Sequence, residues 1–128
     1  MGAWGYKSYE NDHTMDEIPP FYTDNKRATS SQMEIILKKV FNPKRSFYNV
    51  NEKKEARLGV VVYFLETNEY PYPYTVIANK YLRQAVTIAR SLKKDKNYLS
   101  DWKGSKARKN SLDREIKLIQ KAQKNLKN

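Results

Sequence analysis

The sequence contains no cysteine, one histidine and only four glycines in 128 residues. Without cysteine there are no disulfides, no thiolate zinc sites and no thiol nucleophiles, which fits a reducing, cytoplasmic setting. The lone histidine, His13, excludes any site built on two imidazoles. The glycines are scattered, so their spacing yields no P-loop or dinucleotide fingerprint. No nucleophile elbow or kinase signature is present either. Long apolar runs are also missing. The longest, Val60 to Leu65, contains Tyr63 and is far too short to cross a bilayer. No membrane partner is therefore expected. The opening Met1-Gly2-Ala3-Trp4-Gly5-Tyr6 has neither the basic nor the apolar region of a secretory signal. Gly2 sits where a myristoylated glycine would, but Tyr6 stands where Ser or Thr is preferred.

What is abundant is positive charge: 25 Lys and Arg against 14 Asp and Glu, a net of +11. It is unevenly spread. Residues 1–24 hold one lysine against five acids, a net of −4; residues 93–128 hold twelve bases against four acids, a net of +8. The length suits one compact domain over 1–128, with an acidic segment at 1–24 and a basic helical region at 93–128. Such a balance points to an anionic partner, or to the acidic head folding back onto the basic body. The plainer alternative is a solubilising surface.

Apolar periodicity predicts an all-α domain of four to five helices. Asn11 or Asp12, or Thr14 with Glu17, can cap a short helix over Thr14 to Ile18, ended by Pro19-Pro20. Ser31 and Glu34 form a capping box. Behind it Met33, Ile36, Leu37, Val40 and Phe41 recur on one helical face up to Asn42-Pro43. Asn49 with Glu52 opens the next element, whose run of Leu58, Val60, Val61, Val62, Phe64 and Leu65 suits a buried helix or a buried strand. Length and the cap favour helix. A strand pair near 1–9 or 58–65 is the structural alternative. Tyr70-Pro71-Tyr72-Pro73-Tyr74 must be an extended connection. After it Ala78, Tyr81, Leu82, Ala85, Val86, Ala89 and Leu92 form one stripe, with Lys93 and Lys94 at the end where a helix dipole favours cations. A polar connector carries Tyr98, Leu99 and Trp102. A last helix is expected from Ser111, with Leu112, Ile116, Ile119, Ala122 and Leu126 on one face and Lys117, Lys121 and Lys124 on another.

The residues Met1-Gly2-Ala3-Trp4-Gly5, followed by Glu10-Asn11-Asp12 and Asp16, carry a resemblance. They resemble the opening of small bacterial and phage proteins grouped as domain of unknown function 4259. That opening usually reads Met-Gly-Ala-Trp-Gly, then Phe-Glu-Asn-Asp and a further Asp. Here Tyr9 stands for the Phe and His13 follows the Asp. The match spans about the first 16 residues, and the Pro-Tyr linker and lysine-rich tail depart from the family's pattern. The resemblance implies a phage or mobile-element origin and no particular activity. A structural reading of the motif is complete in itself. Gly2 and Gly5 let the chain turn so that Trp4 plugs the core, while Asn11 and Asp12 cap the helix behind it. Alternatively Glu10, Asp12 and Asp16 line a pocket or bind a cation.

The stronger functional signal is basic residues interleaved with aromatics: Lys44, Arg45 and Tyr48 beside Phe47; Lys80 and Arg83 around Tyr81; and Lys103, Lys106, Arg108 and Lys109 after Trp102. Positive charge attracts phosphates, and exposed rings stack on bases. These nine residues are the expected ligand-binding set. No catalytic residue, cofactor or metal ligand is assigned. The leading expectation is a non-enzymatic binding protein of a phage or bacterial conflict system, for anti-defence or immunity, which binds an acidic host protein or a nucleotide signal stoichiometrically. The alternatives are a non-specific nucleic-acid-binding accessory protein and a small hydrolase or nuclease using the acidic N-terminal cluster around His13.

Overall fold

The computed structural model describes Ser8, Glu17 and residues 30–43, 49–67, 77–102 and 104–126. Five α-helices account for most of these: α1 (Ser30–Val40), α2 (Val50–Thr67), α3 (Asn79–Lys94), α4 (Lys96–Ser100) and α5 (Ser105–Leu126). Among the described residues there is no strand, and no helix is long and apolar enough to cross a membrane. Apart from Glu17 and Ser8, the expected helix over Thr14 to Ile18 and the strand alternative at 1–9 lie outside the described residues, as does the motif of Gly2, Trp4, Gly5, Glu10, Asn11, Asp12 and Asp16.

The apolar run that left helix and strand open is helical, and its neighbours explain the ambiguity. α2 packs against α1, α3 and α5 at once. Leu58, Val60, Val61, Val62 and Phe64 are fully buried, and Tyr63 nearly so. A helix covered on every side needs no polar stripe, so its sequence loses the 3.6-residue signature. β-branched valines are tolerated because burial on all faces outweighs their small propensity cost. The N-terminus of α2 is the predicted capping box. The Glu52 N–H donates to Asn49 Oδ1 at 2.8 Å, and the Asn49 N–H donates to Glu52 Oε1 at 3.1 Å. Asn49→Ala is expected to cost about 1 kcal/mol of stability, read as a lowered urea midpoint at unchanged slope.

α1 buries Met33, Ile36, Leu37 and Val40, the predicted face. Its start differs from expectation. The helix begins at Ser30, so Ser31 falls inside the first turn, and the Glu34 carboxylate accepts instead from the Tyr81 hydroxyl at 3.1 Å. Arg57 of α2 closes the other end, donating from Nε to the Val40 carbonyl (3.1 Å) and from Nη2 to that of Asn42 (3.3 Å). A cation there satisfies orphan carbonyls and opposes the helix dipole.

α3 buries Tyr81, Leu82, Ala85, Val86, Ala89 and Leu92, as the stripe requires. It packs most extensively against α5, and the two run antiparallel. Lys93 pairs with Asp113 near one end, and Gln123 donates to Asn79 at 3.2 Å near the other. The expected polar connector contains a helix of its own. Asp95 ends α3 and caps α4, its carboxylate accepting from the Tyr98 N–H at 3.0 Å. α5 begins at Ser105, six residues before the expected Ser111, so Lys106-Ala107-Arg108-Lys109 is helix and not loop.

Candidate functional site

α3 and α5 pack along a common buried seam, and their outer edges, with α4 beside them, line an open groove. Arg90, Lys93 and Lys94 of α3, Lys96 and Leu99 of α4, and Lys109, Asp113, Ile116, Lys117 and Gln120 of α5 line a volume of about 720 Å³. A second depression of about 450 Å³, lined by Lys96, Leu99, Ser100, Ser105, Lys106 and Lys109, shares three of those residues and continues the groove past α4. Seven cationic side chains thus surround a single carboxylate, Asp113, which is held by Lys93. Among the described residues none of the other six has an ion-pair partner. The floor is aliphatic: Leu99 and Ile116 are half-buried and rest against the core. Clustered like charges over an apolar floor repel one another in the empty protein, and an anionic ligand removes that repulsion.

The nine predicted binding residues divide sharply. Lys106 and Lys109 lie in the groove. Lys80 and Arg83 are exposed near the start of α3, ten and seven residues before Arg90, the first α3 residue of the groove, and so about 15 and 10 Å along the helix. Lys80 lies over the Tyr81 ring at 5.0 Å from its centroid. Lys44, Arg45, Tyr48 and Lys103 lie outside the described residues. Arg108 corrects the expectation: it is a fully buried cation and not a surface ligand. Arg90 and Lys96 have no place in the sequence expectation, and Lys93, Lys94 and Lys117 enter it only as dipole and flank charges. A signal was available: 106, 109, 113, 116 and 120 alternate by three and four, so they form one seam on α5.

Arg108 instead organises an internal polar cluster behind the groove. Its Nε donates to the Tyr98 hydroxyl at 3.1 Å and its Nη2 to Ser8 Oγ at 3.0 Å. Glu115 and Glu55 lie 3.8 and 4.0 Å from the guanidinium. The Tyr98 hydroxyl donates to Glu55 Oε2 at 2.7 Å. Ser8 donates twice to Glu115, from its N–H at 2.8 Å and from its hydroxyl. The guanidinium also stacks on Trp102, 4.8 Å from the ring centroid. Basic–aromatic interleaving around Trp102 is therefore an internal cation–π contact and not an exposed stacking platform. The cluster joins Ser8 to α2, α4 and α5, so it fixes the α4–α5 corner whose outer surface carries Lys96, Leu99 and Lys109.

Burial drives the Tyr98 hydroxyl well above the ordinary tyrosine range, so it stays protonated and can donate to Glu55. Burial also raises the Glu115 carboxyl, more than Arg108 and the Ser8 hydrogen bonds lower it. The folded protein therefore holds that proton to higher pH than the unfolded chain does. Its contribution to stability is complete below the ordinary carboxyl value of 4.5 and declines as pH rises through the raised value. Urea unfolding across that window is expected to show the decline, and Glu115→Gln to flatten it.

The fold and the groove define a class: an all-α bundle presenting a cationic, aliphatic-floored groove. No family model, curated protein or solved structure matches the chain. Among the described residues no group of three His, Cys, Asp or Glu side chains could hold a metal ion. The acidic cluster of Glu10, Asp12, His13 and Asp16 lies outside them.

Proposed function

We propose that this protein is a non-enzymatic binding protein that takes an anionic partner stoichiometrically in the α3–α4–α5 groove. The observation that carries this reading is the convergence of Arg90, Lys93, Lys94, Lys96, Lys106, Lys109 and Lys117 on one open depression with one carboxylate among them. A solubilising surface has no reason to concentrate like charges, because dispersed charge serves solubility and repels less. The setting, a phage or bacterial conflict system in the host-cell cytoplasm, acting in anti-defence or immunity, comes from the resemblance of residues 1–16 to the domain of unknown function 4259 family.

The groove's character bears on the choice of anion. A small nucleotide needs a concave site that encloses most of its surface, and this groove is open along its length. Bases need exposed rings. Among the described aromatics Tyr63, Phe64, Tyr81 and Tyr98 are buried, and Phe41 and Trp102 pack inward. Within the groove, both features weigh against a nucleotide signal and against base-stacked single strands. They favour an acidic protein.

Fluorescence anisotropy with labelled polyglutamate tests the proposal. Binding is expected at low salt, weakening steeply as salt rises, because attraction between exposed charges is screened. Reversing Lys94, Lys96 and Lys109 to glutamate together is expected to weaken it by roughly 100-fold. No binding at low salt, or equal binding by the triple variant, would overturn it.

A further inference from the structure

We infer that the occupant of the groove is an acidic amphipathic α-helix of a partner protein, seated as a third helix against α3 and α5. The inference rests on the anionic-partner reading and adds the partner's shape and pattern.

The outer seam of α5 runs through Lys106, Lys109, Asp113, Ile116 and Gln120 in alternating steps of three and four. That spacing presents side chains in line to a neighbouring helix lying along the axis. From Lys106 to Gln120 the seam is about 21 Å long, the length of a helix of about 14 residues. α3 supplies the facing wall with Arg90, Lys93 and Lys94. Helix-in-groove recognition lays the apolar face of an amphipathic helix on an apolar floor, here Leu99 and Ile116, and leaves its flanks to the charges on the walls.

The charges along the valley are not uniform. Asp113 lies midway along the seam and is neutralised by Lys93. Ile116 follows it by about one turn, with Lys117 the next residue and Arg90 across from them on α3. Lys94, Lys96, Lys106 and Lys109 crowd the other side of Asp113, and the far end of the seam, Gln120, is uncharged. The complement is a segment with acids to either side of an apolar patch that meets Ile116 and the neutralised Asp113. A nucleic-acid backbone carries one charge per residue and would set a phosphate against Asp113. A helix can place leucine there and glutamates to either side.

The probe is a labelled helical peptide of about 14 residues with glutamates at both ends and two leucines four apart at its centre, on one face. Its isomer has the same composition, with the leucines moved to opposite faces. Oligothymidylate of similar charge is the third ligand. The full chain is expected to bind the amphipathic peptide at least tenfold tighter than either competitor. Ile116→Ala is expected to remove most of that margin. Lys109→Glu, at an exposed position, should weaken both peptides, and Lys80→Glu should change nothing. Circular dichroism melts establish that the variants are folded. Equal affinity for the two isomers, or tighter binding of oligothymidylate, overturns the helix inference while the anionic groove stands. Failure of all three ligands to bind at low salt overturns both.

Discussion

Replacing Arg108 with methionine is expected to lower the unfolding free energy by about 3–5 kcal/mol at neutral pH. The loss does not measure the strength of a salt bridge. Methionine fills much of the same volume, but it leaves the carboxyl groups of Glu55 and Glu115 facing a guanidinium that is no longer there. Both are buried and lose the cation that lies 3.8–4.0 Å from them. An unpaired buried charge is among the most costly lesions a core can carry. Two further measurements separate this cause from simple loss of contact area. The deficit should shrink as pH falls, because burial already favours the protonated Glu115 carboxyl and a neutral carboxyl needs no counter-charge. Arg108→Met combined with Glu55→Gln and Glu115→Gln should recover much of the loss, because replacing a whole buried ionic cluster is far milder than removing one member. If the single variant matches wild type at neutral pH by urea denaturation, the electrostatic account of the cluster is wrong.

Phe64→Ala should cost a similar amount, about 3–5 kcal/mol, by a different route. Phe64 is fully buried near the C-terminal end of the encircled helix, with its ring in edge contact with Tyr63 at 6.1 Å between centroids. Truncation removes apolar burial and leaves a hole that α1, α3 and α5 can only partly fill. No titratable group is involved, so the loss should be nearly constant across the pH range where the Arg108 deficit varies. Thermal and urea unfolding at two pH values distinguish the two mechanisms. A Phe64→Ala deficit below about 1 kcal/mol would mean that the site collapses freely, contrary to close packing around α2.

Elements with one dry face were readable in the sequence. α1 and α3 each alternate buried and exposed residues at helical spacing, and the Asn49–Glu52 capping box marks the start of α2 nine residues upstream of Leu58, where its apolar run begins. α2 itself was ambiguous because three neighbours erase the contrast that periodicity depends on. The start of α5 was placed too late because Ser111-Leu112-Asp113 imitates a helix opening. Arg108 was misread through charge alone. Its position, at steps of four, seven and eleven from Leu112, Glu115 and Ile119, puts it on the buried stripe, and a charged residue on such a stripe with an opposite charge two turns away marks an internal pair. The groove was half legible. Lys106 and Lys109 were chosen for density of charge, whereas Arg90, Lys94 and Lys96 join them only because α3 folds back along α5, and no local pattern encodes that return.

The contact between Ser8 and Glu115 spans 107 positions of the chain. Neighbouring helices can meet after short excursions, whereas closing a loop this long costs more conformational entropy and favours a late step. Interactions made after the folding barrier govern the rate of escape from the native basin and leave the rate of entry nearly untouched. A Ser8 contact made that late would prolong the life of each folded molecule without changing how quickly one forms.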